Sequence, residues 1–299
     1  MQLRLHLTEI FLIFLYILCL VSFKNAYASD PISAFGGVIA CNYKINKNSK
    51  LSVIGLGAID DFRLNKREFF SINLVQVNQE YGTNINITPN YSIGNLRYLY
   101  SNKEAIRVFS TGGRLEFSDL LGKLSINLDF RHLFHNGRTF SFRFYGGKFL
   151  WNNTQNTTYF DFSLNRSSDY LFNYNYLGRS DDTGIYSQQF IMSEGGFKSK
   201  FANPNANDYI LATNLGYSLW KWIEVYTDFG IAKNKNMKEN YFYDTGLRLN
   251  LVPDYLEFYF PIQNSENYVL NDQNYFSNVR FVLTIDINNL KQLFTRKWF

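Results

Sequence analysis

This sequence predicts an all-β fold, a transmembrane antiparallel β-barrel of roughly 12–16 strands behind an N-terminal signal segment. Three observations carry that expectation. Apolar and polar residues alternate through run after run, most clearly over residues 207–287. The runs reach about ten residues, longer than a usual soluble strand and long enough to cross a bilayer at a tilt. Short turns alternate with long polar loops, as in outer-membrane barrels.

Composition agrees. Aromatic residues make up 18% of the 299, almost all Phe and Tyr, which suits broad strand faces and interfacial rings. Hydrophobic residues reach 46%, yet the mean hydropathy is only −0.23. A helical membrane protein would score far higher; a barrel hides its apolar half in alternation. The net charge of +5 is scattered, with no basic run dense enough for nucleic acid.

Taken in order, the apolar run at residues 10–23 follows Arg4 and precedes Ala26-Tyr27-Ala28. It reads as a signal peptide, 1–28, cleaved before Ser29; as a retained helix it would fall short of the ~20 residues a span needs. Cys19 leaves with it, so Cys41 has no intramolecular partner in the mature chain. Val38-Ile39-Ala40-Cys41 resembles a lipoprotein box but lies far beyond the apolar run. The barrel is expected over 29–287, with a tail at 288–299.

Phe35, Val38 and Ala40 open the first strand, residues 46–50 turn, and 51–58 form the second. Phe70, Ile72 and Leu74 oppose Ser71 and Asn73 in a strand over 69–77. Shorter runs at 84–92 and 96–100 end at the charged stretch 102–104. Leu124, Ile126, Leu128 and Phe130 then alternate with Ser125, Asn127, Asp129 and Arg131; Phe140, Phe142 and Phe144 alternate with Ser141 and Arg143. Asn136-Gly137 marks the hairpin between them. A two-residue loop would set Phe130 opposite Arg143. The expected loop is therefore Asn136-Gly137-Arg138, pairing Phe134 with Phe140 and Phe130 with Phe144, because a one-residue slip exchanges the two faces.

After a polar loop at 152–158, Phe160, Phe162 and Leu164 alternate with Asp161, Ser163 and Asn165, and Phe172, Tyr174 and Tyr176 with Asn173 and Asn175. Residues 186–194 are expected to form a further strand. Then Tyr209, Leu211, Thr213, Leu215, Tyr217 and Leu219 oppose Ala212, Asn214, Gly216 and Ser218. Trp220-Lys221-Trp222 turns the chain. Ile223, Val225, Phe229 and Ile231 oppose Glu224, Tyr226, Asp228 and Gly230. A lysine-rich loop at 234–240 precedes Tyr243, Leu247, Leu249 and Leu251, which oppose Asp244, Gly246, Arg248 and Asn250. Pro253-Asp254 turns into Leu256, Phe258 and Phe260; a long loop at 263–274 leads to a last strand at 280–287.

An Arg facing mid-bilayer lipid costs ~2–4 kcal/mol, so the charged phase must face the lumen. Arg143, Glu224, Asp228, Arg248 and Asp286 are the lumen-facing candidates, and Trp220, Trp222 and Tyr255 the aromatic girdle at the short-turn rim. No His-Glu-x-x-His, Gly-x-Ser-x-Gly or phosphate loop occurs, so no catalytic, metal or cofactor residue is assigned and no cofactor is expected. His132 and His135, three apart on a strand, would point to opposite faces, a poor arrangement for a metal or a triad.

Phe149-Leu150-Trp151-Asn152-Asn153, residues 169–180 (Asp169 through Tyr174 and Gly178 to Ser180), Ser187-Gln188-Gln189-Phe190, Glu194-Gly195-Gly196-Phe197-Lys198 and the ending Leu293-Phe294-Thr295-Arg296-Lys297-Trp298-Phe299 give residues 140–299 a familiar wording. This region resembles the C-terminal barrel-like region of aminopeptidase N-like zinc metallopeptidases from Gram-negative bacteria. The chain lacks that family's zinc motif, so no catalytic residue carries over. The resemblance implies an outer-membrane setting and a severed or stand-alone barrel module; it does not imply peptidase activity.

The expected function is a non-catalytic outer-membrane barrel, a membrane anchor or a narrow, porin-like channel. Its expected partners are outer-membrane lipid and the barrel assembly machinery, with no nucleic acid. The alternatives are an accessory barrel docking a separate surface zinc peptidase, and a barrel hydrolase using His132 or His135.

Overall fold

A computed structural model describes residues 33–46, 49–60, 66–79, 90–154, 158–171, 173–174, 184–252 and 256–283. The signal segment, Ser29, most of the run at 84–92, Phe172, Tyr176, the Pro253-Asp254 turn, Tyr255, Asp286 and the 288–299 tail lie outside these residues.

The fold is all-β and antiparallel. Strands β1 (Ser33–Asn46), β2 (Ser49–Asp60), β3 (Lys66–Gln79), β4 (Tyr91–Lys103), β5 (Arg107–Phe117), β6 (Leu121–Leu133) and β7 (Thr139–Asn152) pair each with the next. After two short strands, β8 (Phe162–Ser163) and β9 (Asn205–Ala206), the ladder resumes with β10 (Tyr209–Ser218), β11 (Ile223–Lys233), β12 (Asn240–Val252), β13 (Leu256–Asn264) and β14 (Arg280–Leu283). β10 pairs directly with β7, giving one 12-stranded sheet, while β8 and β9 pair only with each other.

Period-two patterning explains why these segments are strands. In β11 burial alternates without a break: Glu224, Tyr226, Asp228, Gly230 and Ala232 are buried, and the residues between them are not. β10 follows the same rule, with Asn214, Gly216 and Ser218 inward and Leu211 and Tyr217 outward. The faces expected for β10 to β13 are those observed.

Several expectations are corrected. The sheet is not closed: among the described residues β1 and β14 do not pair with each other. The outer edge of β14 is instead occupied by a parallel bridge between Phe281 and Gln189, with the Phe190 amide donating to the Phe281 carbonyl at 2.7 Å. The β6–β7 loop has three residues, but they are 135–137. Phe130 opposes Phe142, and the Phe134 amide donates to the Arg138 carbonyl at 2.8 Å. Gly137 takes the left-handed conformation (φ 75°) that a three-residue bulged hairpin requires, and the Asn136 side chain accepts from the Arg138 amide. The loop sits one residue earlier than expected, so the pairing shifts by two and the faces survive.

The runs at 160–164 and 186–194 are not wall strands. Phe160, Phe162 and Leu164 are almost wholly buried, but only Phe162 and Ser163 are extended and paired. Gly184–Gln188 is a 3-10 turn, followed by irregular chain. Tyr174 lies in no strand. These apolar residues alternate, yet they pack against the sheet instead of joining it. β5 was not foreseen; its Gly112-Gly113 pair removes two side chains from the pattern.

The registers place the two rims. Connections 104–106, 134–138 and 219–222 share one rim with Ser33 and Leu283. The longer connections 153–208, 234–239 and 265–279 leave from the other.

Candidate functional site

The described residues between β7 and β10 pack over one face of the sheet. Phe160, Phe162, Leu164, Tyr170, Leu171, Phe197 and Phe201 form one buried cluster with Tyr145, Phe149, Ile210, Ala212, Ala232 and Phe242 of the strands. Each fully buried Phe or Leu is worth about 1.5–3 kcal/mol of hydrophobic stabilisation. Two strand glycines make the approach possible. A Cβ on Gly147 would stand 2.5 Å from the Phe162 ring, and one on Gly230 would stand 2.8 Å from Leu164 and 2.9 Å from Phe197.

Beneath this plug the sheet carries a polar row. Strand register sets Asp129, Arg143, Asn214, Asp228 and Asp244 side by side across β6, β7, β10, β11 and β12. Asp228 and Asp244 are directly opposed and fully buried, an arrangement of like charges that a bare sheet would not tolerate. The plug supplies the remedy. Lys198 Nζ donates to both carboxylate oxygens of Asp228 at 2.9 Å. The Lys198 and Ser199 amides donate to Asp244 Oδ2 at 2.9 and 2.7 Å, and Ser199 Oγ to Oδ1 at 2.9 Å. Asn214 bridges, donating to Asp228 and to the Gly195 carbonyl while accepting from Arg143. The Lys198 ammonium also lies 5.0–5.6 Å from the ring centres of Phe190, Tyr226 and Tyr259.

A second junction gathers around Lys123 on β6. Its ammonium donates to the Phe160 carbonyl at 3.0 Å and to the Tyr170 hydroxyl at 2.8 Å, lies 3.6 Å from Glu194, and sits over the Phe162 ring. The Tyr170 hydroxyl donates to Glu116 on β5. Burial raises the Glu194 carboxyl, against the pull of Lys123 and the hydrogen bond from the Ser163 amide. A third cluster joins Arg248 to Glu224 at 2.9 Å and to Glu257, which also accepts from the Tyr259 hydroxyl at 2.9 Å.

Of the lumen-facing residues read from the sequence, Arg143 and Asp228 belong to the first network and Glu224 and Arg248 to the third. Trp220 and Trp222 stand 70% and 59% exposed on the turn at the short-connection rim. Lys198, Asp244, Asn214, Lys123, Glu194 and Glu257 were not singled out. Asp244 and Asn214 had a visible signal, because both lie on the polar phase of long strands. Lys198 and Glu194 had none, since their partners are remote in sequence. His132 stacks on Phe130 and meets Phe134 edge-on at the rim, while His135 lies in the hairpin loop. The geometry therefore brings the two histidines to no common centre. Among the described residues, no three His, Cys, Asp or Glu side chains converge as metal ligands.

Every charge in these networks faces a counter-charge or a fixed donor, which describes a lock between plug and wall. No family model matches this chain, and no curated protein matches it. Two of the stretches quoted from the sequence, 187–190 and 194–198, form part of the plug.

Proposed function

We propose that the chain is an outer-membrane β-barrel, plugged by its own segment 153–208, that serves as a membrane anchor in preference to an open channel. One observation carries this reading: the outer face of the sheet is apolar and exposed, while the inner face buries charged residues beside its apolar cluster. Asp228, Asp244, Lys123 and Lys198 are buried, while Ile126 and Phe229 stand 52% and 51% exposed on the opposite face, alongside Leu124, Leu211, Leu247 and Leu251. Such a surface is costly in water and favourable in lipid.

Other features support it. Strands β10 to β13 run 9 to 13 residues, close to the ~9–11 of a tilted transmembrane strand. Exposed Trp220 and Trp222 flank one rim and Trp151 and Tyr241 the other, as paired girdles would. Twelve strands with both ends at one rim make β1 and β14 antiparallel, the condition for closing an even-stranded barrel. Open edges in hydrocarbon would strand amides at several kcal/mol each, so closure in the membrane, with β1 taking the β14 edge that Gln189 and Phe190 occupy here, is part of the proposal.

The test is fractionation with gel mobility before and after heating, followed by planar bilayers. The expected outcome is membrane-bound protein with heat-modifiable mobility and no stepwise conductance. Protein that stays monomeric in water without detergent would refute the membrane reading; discrete conductance steps from the intact chain would replace anchor by channel.

A further inference from the structure

The two ends of the 12-stranded sheet are finished differently. The outer edge of β1 pairs with no strand among the described residues, while that of β14 is covered by residues 188–190. Gln189 forms the parallel bridge to Phe281, and the Phe190 amide donates to the Phe281 carbonyl at 2.7 Å. The Gln188 side-chain amide donates to the Val279 carbonyl at 3.1 Å and to the Phe276 carbonyl. A bare sheet edge templates pairing with other chains, and a covering loop prevents it.

This cover is weaker than a strand in the same place. It makes a single parallel bridge, where β13 pairs with β14 through four antiparallel rungs, the stabler arrangement per residue. β1 has 14 residues, enough to pair along all of Arg280–Leu283. The cover is also separable from the rest of the plug. Phe190 packs with Tyr226, Tyr259 and Val282, in a cluster distinct from that of Phe160, Phe162, Leu164 and Phe197. The lock to the wall begins later in the chain, at Gly195, Lys198 and Ser199. Lys198 faces the Phe190 ring but also those of Tyr226 and Tyr259, so it keeps two of its three aromatic contacts if Phe190 withdraws. Glu194 lies between the two attachments with φ 37°, a strained backbone of the kind found at switch points.

We propose that residues 188–190 are a temporary cap on the β14 edge, displaced by β1 when the chain enters a bilayer. This step rests on the membrane reading above. In water the cap shields a hydrogen-bonding edge from other chains. In hydrocarbon both open edges must pair, and β1 meets β14 antiparallel. One rung is exchanged for a ladder, while residues 195–199 stay locked to the wall.

The test uses the full chain with Gln189→Cys and Phe281→Cys, in a background carrying Cys19→Ser and Cys41→Ser. Bridge partners on adjacent backbones stand within disulfide range. Oxidised at low urea before lipid is added, the pair should cross-link. Reduced protein inserted into phosphatidylcholine vesicles and oxidised afterwards should not. The form cross-linked first should acquire heat-modifiable mobility slower by about tenfold or more, because the edge cannot close, and reductant should restore the rate. Gln188→Ala, a variant without new cysteines, should insert a few-fold faster than the parent, from the loss of its amide donor. Three results overturn the cap and leave the membrane reading intact: no cross-link before lipid, equal cross-linking in inserted heat-modifiable protein, or undiminished insertion of the cross-linked form. A parent chain that never acquires heat-modifiable mobility refutes the membrane reading, and the release step with it.

Discussion

Replacing Lys198 by Met probes the lock between plug and wall directly. The Lys198 and Asp228 side chains are 3% and 0% exposed, with Nζ 2.9 Å from both carboxylate oxygens. Met keeps most of the volume and the contact with the Phe190, Tyr226 and Tyr259 rings, so the loss is mainly electrostatic. Removing one partner of a buried pair leaves a stranded charge and costs about 3–5 kcal/mol. Asn214 still donates to Asp228 at 2.9 Å, which places the expected loss at the lower end, about 3 kcal/mol. Adding Asp228→Asn removes the stranded charge, and the double variant should return to within about 1–2 kcal/mol of the parent. The assay is urea titration of the detergent-folded protein, read by protease protection of residues 184–208. A loss below about 1 kcal/mol in Lys198→Met, or a double variant as weak as the two single losses added, would refute the coupling.

Three further outcomes are expected. Burial pushes the Asp161 carboxyl up to about 6 from an ordinary 3.8, although Lys123 opposes it. The folded plug therefore holds more protons than the unfolded one between those values, and plug stability should fall as pH rises through that window; Asp161→Asn should flatten the slope in protease protection measured against pH. Gly196 has φ +69°, and a Cβ there would lie 2.7 Å from the Met192 sulfur and 2.9 Å from Arg143 Nη1. Gly196→Ala should weaken plug retention by about 1–2 kcal/mol from the left-handed backbone alone, read in the same urea titration. In vesicles, brominated lipid should quench Trp220 and Trp222 most strongly when the bromines sit near the headgroups; strongest quenching from mid-chain bromines would contradict their place at the rim.

Much of the wall was legible in the sequence because a strand's two faces follow from parity. Once β10, β11 and β12 are strands, Asn214, Asp228 and Asp244 must lie inward and Leu211, Phe229 and Leu247 outward, whatever the rest of the chain does. The same parity protected the β6–β7 hairpin: a loop placed one residue off moved the register by two, so Arg143 stayed on the polar side. Parity does not say whether an alternating segment joins a sheet. Phe160, Phe162 and Leu164 carry a strand pattern and became the plug's core, a choice made by the room that Gly147 and Gly230 leave on the inner face.

From local patterning alone come the strand-rich architecture, the inward phase of Arg143, Glu224, Asp228 and Arg248, and the Trp-bearing turn at 219–222. Tertiary structure alone decided that Lys198 meets Asp228, 30 residues away, and that Lys123 meets Tyr170 and Phe160. The physical reason is range. Side-chain parity is set by neighbouring residues, whereas two opposed buried aspartates need a counter-charge from wherever the folded chain can bring one, and no local pattern encodes that partner.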